Sequence, residues 1–136
     1  MATVNATGGK KRGVKPFPKR EIAPGARIWL TGEGNFFCPG TARLLSLIEK
    51  RGSIMSACEE MGLSYFKAHK MVKKIERELG RKIVFVERIS GLRCNGAVLT
   101  DVGKELVRRY GKMEKECAAL VKKAYDKNFS GFFESL

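Results

Sequence analysis

The residues of this 136-residue chain best suited to chemistry are cations set at helical spacing. Over residues 65–79, Phe66, Lys70, Lys73, Lys74 and Arg77 fall on one side of a helical wheel, and Ala68, Met71, Val72, Ile75 and Leu79 form a stripe roughly opposite. A basic outer face on an amphipathic helix suits the major groove of DNA, which admits a helix and exposes base edges and flanking phosphates to it. A lysine-rich face can also be merely solvated, so the whole chain has to be weighed. Its 27 Lys and Arg against 14 Asp and Glu give a formal net charge of +13, which calls for a polyanionic partner. An enzyme is not indicated, because there is no Gly-rich phosphate loop, no cluster of carboxylates, and no partner for the single histidine, His69. His69 sits on the flank of the same helix and suits a DNA or core contact. Cys38, Cys58, Cys94 and Cys117 are scattered with no C-x-x-C pair, so reduced structural thiols are expected rather than a metal site or a disulfide frame. No cofactor and no small-molecule effector site are evident.

Those cations need a rigid platform, and residues 53–79 read as a helix-turn-helix. Ile54, Ala57, Cys58 and Met61 share one helical face. Gly62 sits where a left-handed residue would stop that helix, and Ser64 sits where an N-cap would start the next. With only Gly62-Leu63-Ser64 between them, the helices must cross. Cys58 is the small residue for the crossing, and Ala57, Met61, Leu63, Ala68 and Met71 surround it. Ser64 and the first amides of the second helix would hold a phosphate. Tyr65 and Phe66 are candidates for a thymine methyl or the backbone, and Lys67, Lys70, Lys73 and Lys74 for bases or phosphates. Burial of Phe66 against the turn is the alternative. Ser53, which opens the first helix, and Arg77 complete the candidate set on this pair.

Around the pair the chain divides into three. Residues 1–24 carry Lys10, Lys11, Arg12, Lys15, Lys19 and Arg20 before the first acid, Glu21, and read as a disordered basic arm. Residues 25–126 read as one domain. It begins with a hairpin whose strands are 27–31 and 36–38, followed by a buried scaffold helix from Pro39 to the stop at Arg51-Gly52. After the helix pair come a β-branched strand at 82–89, a loop at 90–96 and a short return at 97–99. Helix pair, strand, loop, strand is the order of a winged helix. Its wing would carry Arg88 and Arg93 to phosphates or the minor groove. Thr100 then caps a helix over 100–126 in which Leu106, Tyr110, Met113, Cys117, Leu120 and Ala124 alternate at four and three. That narrow seam predicts a homodimer, the alternative being that the helix folds back onto the chain's own scaffold helix. Residues 127–136 form a tail rich in phenylalanine. The fold predicted is mainly α with small β: a winged helix-turn-helix with an N-terminal β-hairpin and a long C-terminal dimerisation helix. No apolar run is long enough to span a bilayer and no signal-peptide core is present, so a cytoplasmic protein with no membrane partner is expected.

With these segments placed, Gly52-Ser53-Ile54, Gly62-Leu63-Ser64-Tyr65 and Leu99-Thr100 with Gly103 follow one another in an order that resembles the DNA-binding domain of ModE-type molybdate-responsive transcription regulators. The likeness covers roughly residues 26–110 and is more distant to the LysR-type winged helix. It implies a dimeric transcription regulator that binds double-stranded DNA, with Tyr65 and Lys67 over the major groove of an inverted-repeat operator. His69 stands where the family usually has tryptophan, and the chain ends before the small β-barrel domains that bind molybdate in full-length members, so molybdate sensing is not carried over. Three other readings remain open: a winged helix that binds a protein, a non-specific architectural DNA-binding protein, and a metal or redox sensor using its cysteines.

Overall fold

The computed structural model describes residues 21–87 and 96–136. Residues 1–20 of the basic arm expected over 1–24, and the tip of the wing, with Arg88, Arg93 and Cys94, lie outside the described residues. The end of that arm is not the free segment expected, since the Ile22 carbonyl accepts from the Tyr125 hydroxyl of the C-terminal helix. The chain runs β1 (Leu30–Thr31), β2 (Asn35–Phe37), α1 (Pro39–Arg51), α2 (Ile54–Met61), α3 (Tyr65–Leu79), β3 (Val84–Glu87), β4 (Gly96–Leu99) and α4 (Asp101–Phe129), then a 3₁₀ turn (Phe133–Ser135). It is mainly α with two small antiparallel sheets, β1-β2 and β3-β4. No helix among the described residues is long and apolar enough to cross a membrane.

Local punctuation sets the α1–α2–α3 arrangement. Gly52 ends α1 at φ 73° and Gly62 ends α2 at φ 69°, a left-handed backbone that glycine adopts without strain. Ser53 caps α2 by accepting from the Ser56 amide at 3.1 Å, and Ser64 caps α3 by accepting from the Lys67 amide at 3.1 Å. Each such cap stabilises its helix by about 1 kcal/mol. Where α2 meets α3 the small side chains Ala57, Cys58 and Ala68 are buried, and the Cys58 thiol lies 3.8 Å from the Ser64 carbonyl. Together with Leu44, Leu45 and Ile48 of α1 and Ile75 of α3 they form the centre of the core.

The two hairpins clasp this helical layer. In the wing, Val84 pairs with Leu99 and Glu87 with Gly96, while the Ala97 amide donates to the Gly52 carbonyl at 2.8 Å. The β3-β4 hairpin is thereby bonded to the α1–α2 junction. The front hairpin is shorter than its sequence suggests. Arg27 to Trp29 are not in β1, because the Ile28 carbonyl accepts from the Tyr110 hydroxyl at 2.8 Å instead of from a strand. At the other end Cys38 leaves β2 to precede α1, its carbonyl accepting from Ala42 at 3.0 Å. Phe37 closes the core by meeting the Tyr110 ring edge-on at 4.9 Å.

Thr100 and Gly103 explain how α4 begins. The Thr100 hydroxyl accepts from the Gly103 amide at 3.1 Å and donates to the Lys82 carbonyl at 2.7 Å, and the Thr100 amide donates to the Ile83 carbonyl at 2.9 Å. Gly103 is buried against β3 at a distance only a residue without a side chain allows. From this fixed start α4 runs 29 residues, past the expected end at 126 to Phe129. At 1.5 Å per residue it is about 43 Å long, more than the rest of the domain can cover. Part of the remainder is covered by residues 22–28, which run antiparallel along it: the Tyr125 hydroxyl donates to the Ile22 carbonyl at 3.0 Å, as Tyr110 does to Ile28.

Candidate nucleic-acid interface

The outer face of α3 carries the cations expected of it. Ala68, Val72 and Ile75 are buried at spacings of four and three, which turns Phe66, Lys70, Lys73, Lys74 and Arg77 outward. Leu79, expected in the apolar stripe, is the last residue of the helix and is exposed. Phe66 is 70% exposed, which rules out its burial against the turn. The Lys70 ammonium lies over the Phe66 ring, 5.3 Å from its centre, so the two side chains present one cation-and-aromatic unit at the middle of the face. Tyr65 and His69 stack at 6.1 Å on the flank nearer the wing, and Lys67 lies on the flank nearer the front hairpin.

The acids of α3 are turned inward, a feature that helical spacing alone does not reveal. Glu76 accepts from the Ile83 amide at 2.9 Å and the Val84 amide at 3.3 Å, so its carboxylate ties the start of β3 to the helix. Lys73 and Lys82 close on its other oxygen. Glu78 accepts from the Glu33 amide at 3.1 Å and so holds the turn of the front hairpin. Both carboxylates being spent on amides of neighbouring elements, the outward face of α3 shows cations only. The same two residues fix a β-hairpin on each side of the helix.

Burial pushes the Glu76 carboxyl up, but the amides of Ile83 and Val84 and the Lys73 ammonium outweigh it and hold the group below its ordinary value of 4.5. A carboxyl depressed in the folded chain contributes stability that is complete above the unfolded value and lost as pH falls through the folded one. Glu76→Gln should therefore lose about 1–2 kcal/mol near pH 7, and its gap to the unsubstituted chain should narrow on acidification to about pH 3, as the carboxyl begins to protonate. Urea unfolding at both pH values measures the gap. A gap of the same size at both would mean that shape, not charge, anchors the wing.

The remaining expected site residues fall into three groups. Ser53 and Ser64 are spent as helix caps, which leaves the amides of Tyr65 and Phe66 at the N-terminus of α3 but takes that of Lys67. Arg88 and Arg93 lie outside the described residues. On α4 the expected seam divides: Tyr110 is 2% exposed and belongs to its own domain, Leu106 and Met113 pack partly against the same core, and Cys117 faces residues 23–28 across a shallow groove. Tyr110 therefore cannot be a dimer contact, and burial pushes its phenol up to about 12. Leu120 is 66% exposed and Ala124 is exposed beside it. Beyond them Phe129 stacks on Tyr125 and Phe133 while Phe132 meets Phe129 and Phe133 edge-on, with centroid distances of 5.0 to 6.0 Å. Cys38, Cys58 and Cys117 are free thiols. Among the described residues no three His, Cys, Asp or Glu side chains come together as a metal-binding group.

The chain matches no protein-family model. It is similar to the molybdenum-pterin-binding protein MopB of Rhodobacter capsulatus. The two are 37% identical over 78 residues, 57% of this chain and 28% of MopB. The chain thus spans little more than a quarter of MopB.

Proposed function

We propose that this chain is a sequence-specific DNA-binding transcription regulator of the ModE-like kind, acting as a homodimer on an inverted-repeat operator. The observation that carries the reading is the face of α3, where five Lys and Arg residues project from the second helix of a helix-turn-helix while Glu76 and Glu78 are bonded inward. In the major groove, Lys70 with Phe66, Lys73 and Arg77 would meet base edges and Lys67 and Lys74 the flanking phosphates. The wing, fixed by Glu76, would follow the adjacent backbone. The likeness to MopB supports a molybdate-related role for the genes so controlled.

Fluorescence anisotropy with duplex DNA from upstream of the protein's own gene, against a scrambled duplex at low and high salt, tests this directly. Preferential binding that survives the higher salt is the expected result. Equal binding to both duplexes, lost with salt, would mean that charge alone holds the DNA, as in an architectural protein.

The dimer surface we propose is what α4 leaves uncovered: Leu120 and Ala124, with Cys117 and Met113 at their edge. Two recognition helices would then lie about one helical turn of DNA apart, near 34 Å. Leu120→Lys should leave the protomer folded, because the side chain is exposed, but shift the sedimenting species from dimer to monomer. Operator affinity should fall by at least about tenfold as the second half-site is lost. A monomeric unsubstituted chain that binds the operator as tightly would sink the dimer.

A further inference from the structure

We propose that the front hairpin is a further DNA-contacting element, in which Trp29, Asn35 and Lys74 seat one sugar–phosphate unit of the strand bordering the groove on the side away from the wing. The proposal rests on the DNA-binding reading above. Between the hairpin and α3 lies a cavity of about 220 Å³ lined by Trp29, Asn35, Phe36, Thr41, Met71 and Lys74 among others. Lys74 belongs to the cationic face of α3, so the cavity is continuous with that face. No carboxylate lines it, which favours a polyanion over a basic peptide.

The side chains match the parts of a nucleotide backbone. Lys74 offers an ammonium for the phosphate. The Thr31 hydroxyl donates to Asn35 Oδ1 at 2.7 Å, which orients that amide and leaves its nitrogen to donate elsewhere. Trp29 offers an apolar ring for the deoxyribose and an indole N–H for a phosphate oxygen. It is 48% exposed, although Leu30 beside it packs against the core and Phe37 across the hairpin is buried. The chain places its one tryptophan at the mouth of the cavity while Ile28 and Leu30 on either side of it are half-buried.

The hairpin is also held rigidly against the helix that would enter the groove. Glu78 of α3 accepts from the Glu33 amide at the turn, and Phe37 packs edge-on against Tyr110 at the base. A contact made by Trp29 is therefore fixed relative to Lys70 and Arg77 before DNA arrives, so little ordering cost is left for binding. The wing and the front hairpin flank α3 as a pair, one fixed through Glu76 and the other through Glu78.

Because Trp29 is the chain's only tryptophan, its emission reports from this cavity alone. The full chain is titrated with the upstream duplex while duplex anisotropy, Trp29 emission and acrylamide quenching are followed together. On saturation, emission should change and quenching should fall by about half or more, as expected of an aromatic ring covered at an interface. Trp29→Ala should weaken binding by about tenfold at an unchanged salt slope, Trp29→Phe should recover most of that loss, and Lys74→Ala should lower the slope by about one. Melting curves of the variants establish that each is folded. A duplex that binds while Trp29 stays as open to acrylamide as in the free chain, with Trp29→Ala at full affinity, overturns the proposal, leaves the DNA reading standing, and would turn attention to a protein partner for this surface. No anisotropy change with any duplex overturns both.

Discussion

Reversing two charges on α3, Lys70→Glu together with Arg77→Glu, is expected to reduce operator affinity by about 100-fold or more while leaving the melting temperature nearly unchanged. The two residues lie seven apart, two turns of one helix, at the centre of the outward face. Neither has a carboxylate within ion-pair distance among the described residues, whereas Lys73 is engaged by Glu76. With α3 in the groove as proposed, each reversal would remove a cation from it and put an anion against phosphates. Losing one base contact costs about 1–3 kcal/mol, so two, with repulsion added, lead to the stated loss. Stability should move by no more than about 0.5 kcal/mol, because both side chains are solvated in the free chain. Anisotropy at fixed salt, paired with a thermal melt, separates the two quantities. Retained affinity in a folded double variant would mean that α3 is not the element in the groove, and the positive charge of the chain would have to act elsewhere.

The helix pair was legible in sequence because everything that defines it is local. Gly52, Ser53, Gly62 and Ser64 act within a few residues of themselves, as left-handed stops and caps, and the structure uses all four in that way. The inward acids were not legible. Glu76 and Glu78 stand among exposed lysines and read as ordinary surface charges, yet their partners lie at Ile83, Val84 and Glu33. A contact 45 residues away, as between Glu78 and Glu33, leaves no trace in helical periodicity. Tyr110 failed for a related reason. The four-three alternation along α4 identifies an apolar face, but a groove in the chain's own domain satisfies that face as well as a second copy does. Here the hydroxyl decided: it reaches the Ile28 carbonyl, which in turn ends the strand expected over 27–31.

The three motifs that carry the resemblance turn out to be scaffold. Gly52-Ser53-Ile54 stops α1, caps α2 and buries an isoleucine, Gly62-Leu63-Ser64 makes the crossing turn, and Leu99-Thr100 with Gly103 docks α4 on β3. They specify how α3 is held. On the DNA-binding reading proposed above, operator choice would instead rest on the solvated residues of α3, Tyr65, Phe66, Lys67, His69, Lys70, Lys74 and Arg77, whose types can change without disturbing the fold, unlike those of the buried Ala68, Val72 and Ile75. On that reading, these solvated positions are where two chains with the same scaffold would differ in the DNA they select.

The docking of α4 can be tested at one atom. Gly103→Ala is expected to destabilise the chain by about 2–3 kcal/mol, although alanine is the better helix former by about 1 kcal/mol. A Cβ at position 103 would lie 2.6 Å from the Ile83 carbonyl oxygen and 3.1 Å from Ile83 Cγ2. The first of these is backbone, which no rotamer change can relieve, so α4 must back away from β3. Backing away stretches the bonds from Thr100 to the Lys82 and Ile83 carbonyls and opens the packing around Leu99. Gly111, two turns further along the same helix, has nothing within 4 Å of an added Cβ. Gly111→Ala should therefore be neutral or stabilise by up to about 1 kcal/mol. The two substitutions are chemically identical and share a helix, so opposite signs in urea unfolding would isolate the contact with Ile83 as the cause. Equal effects would mean that α4 is not seated on β3 as closely as Gly103 implies.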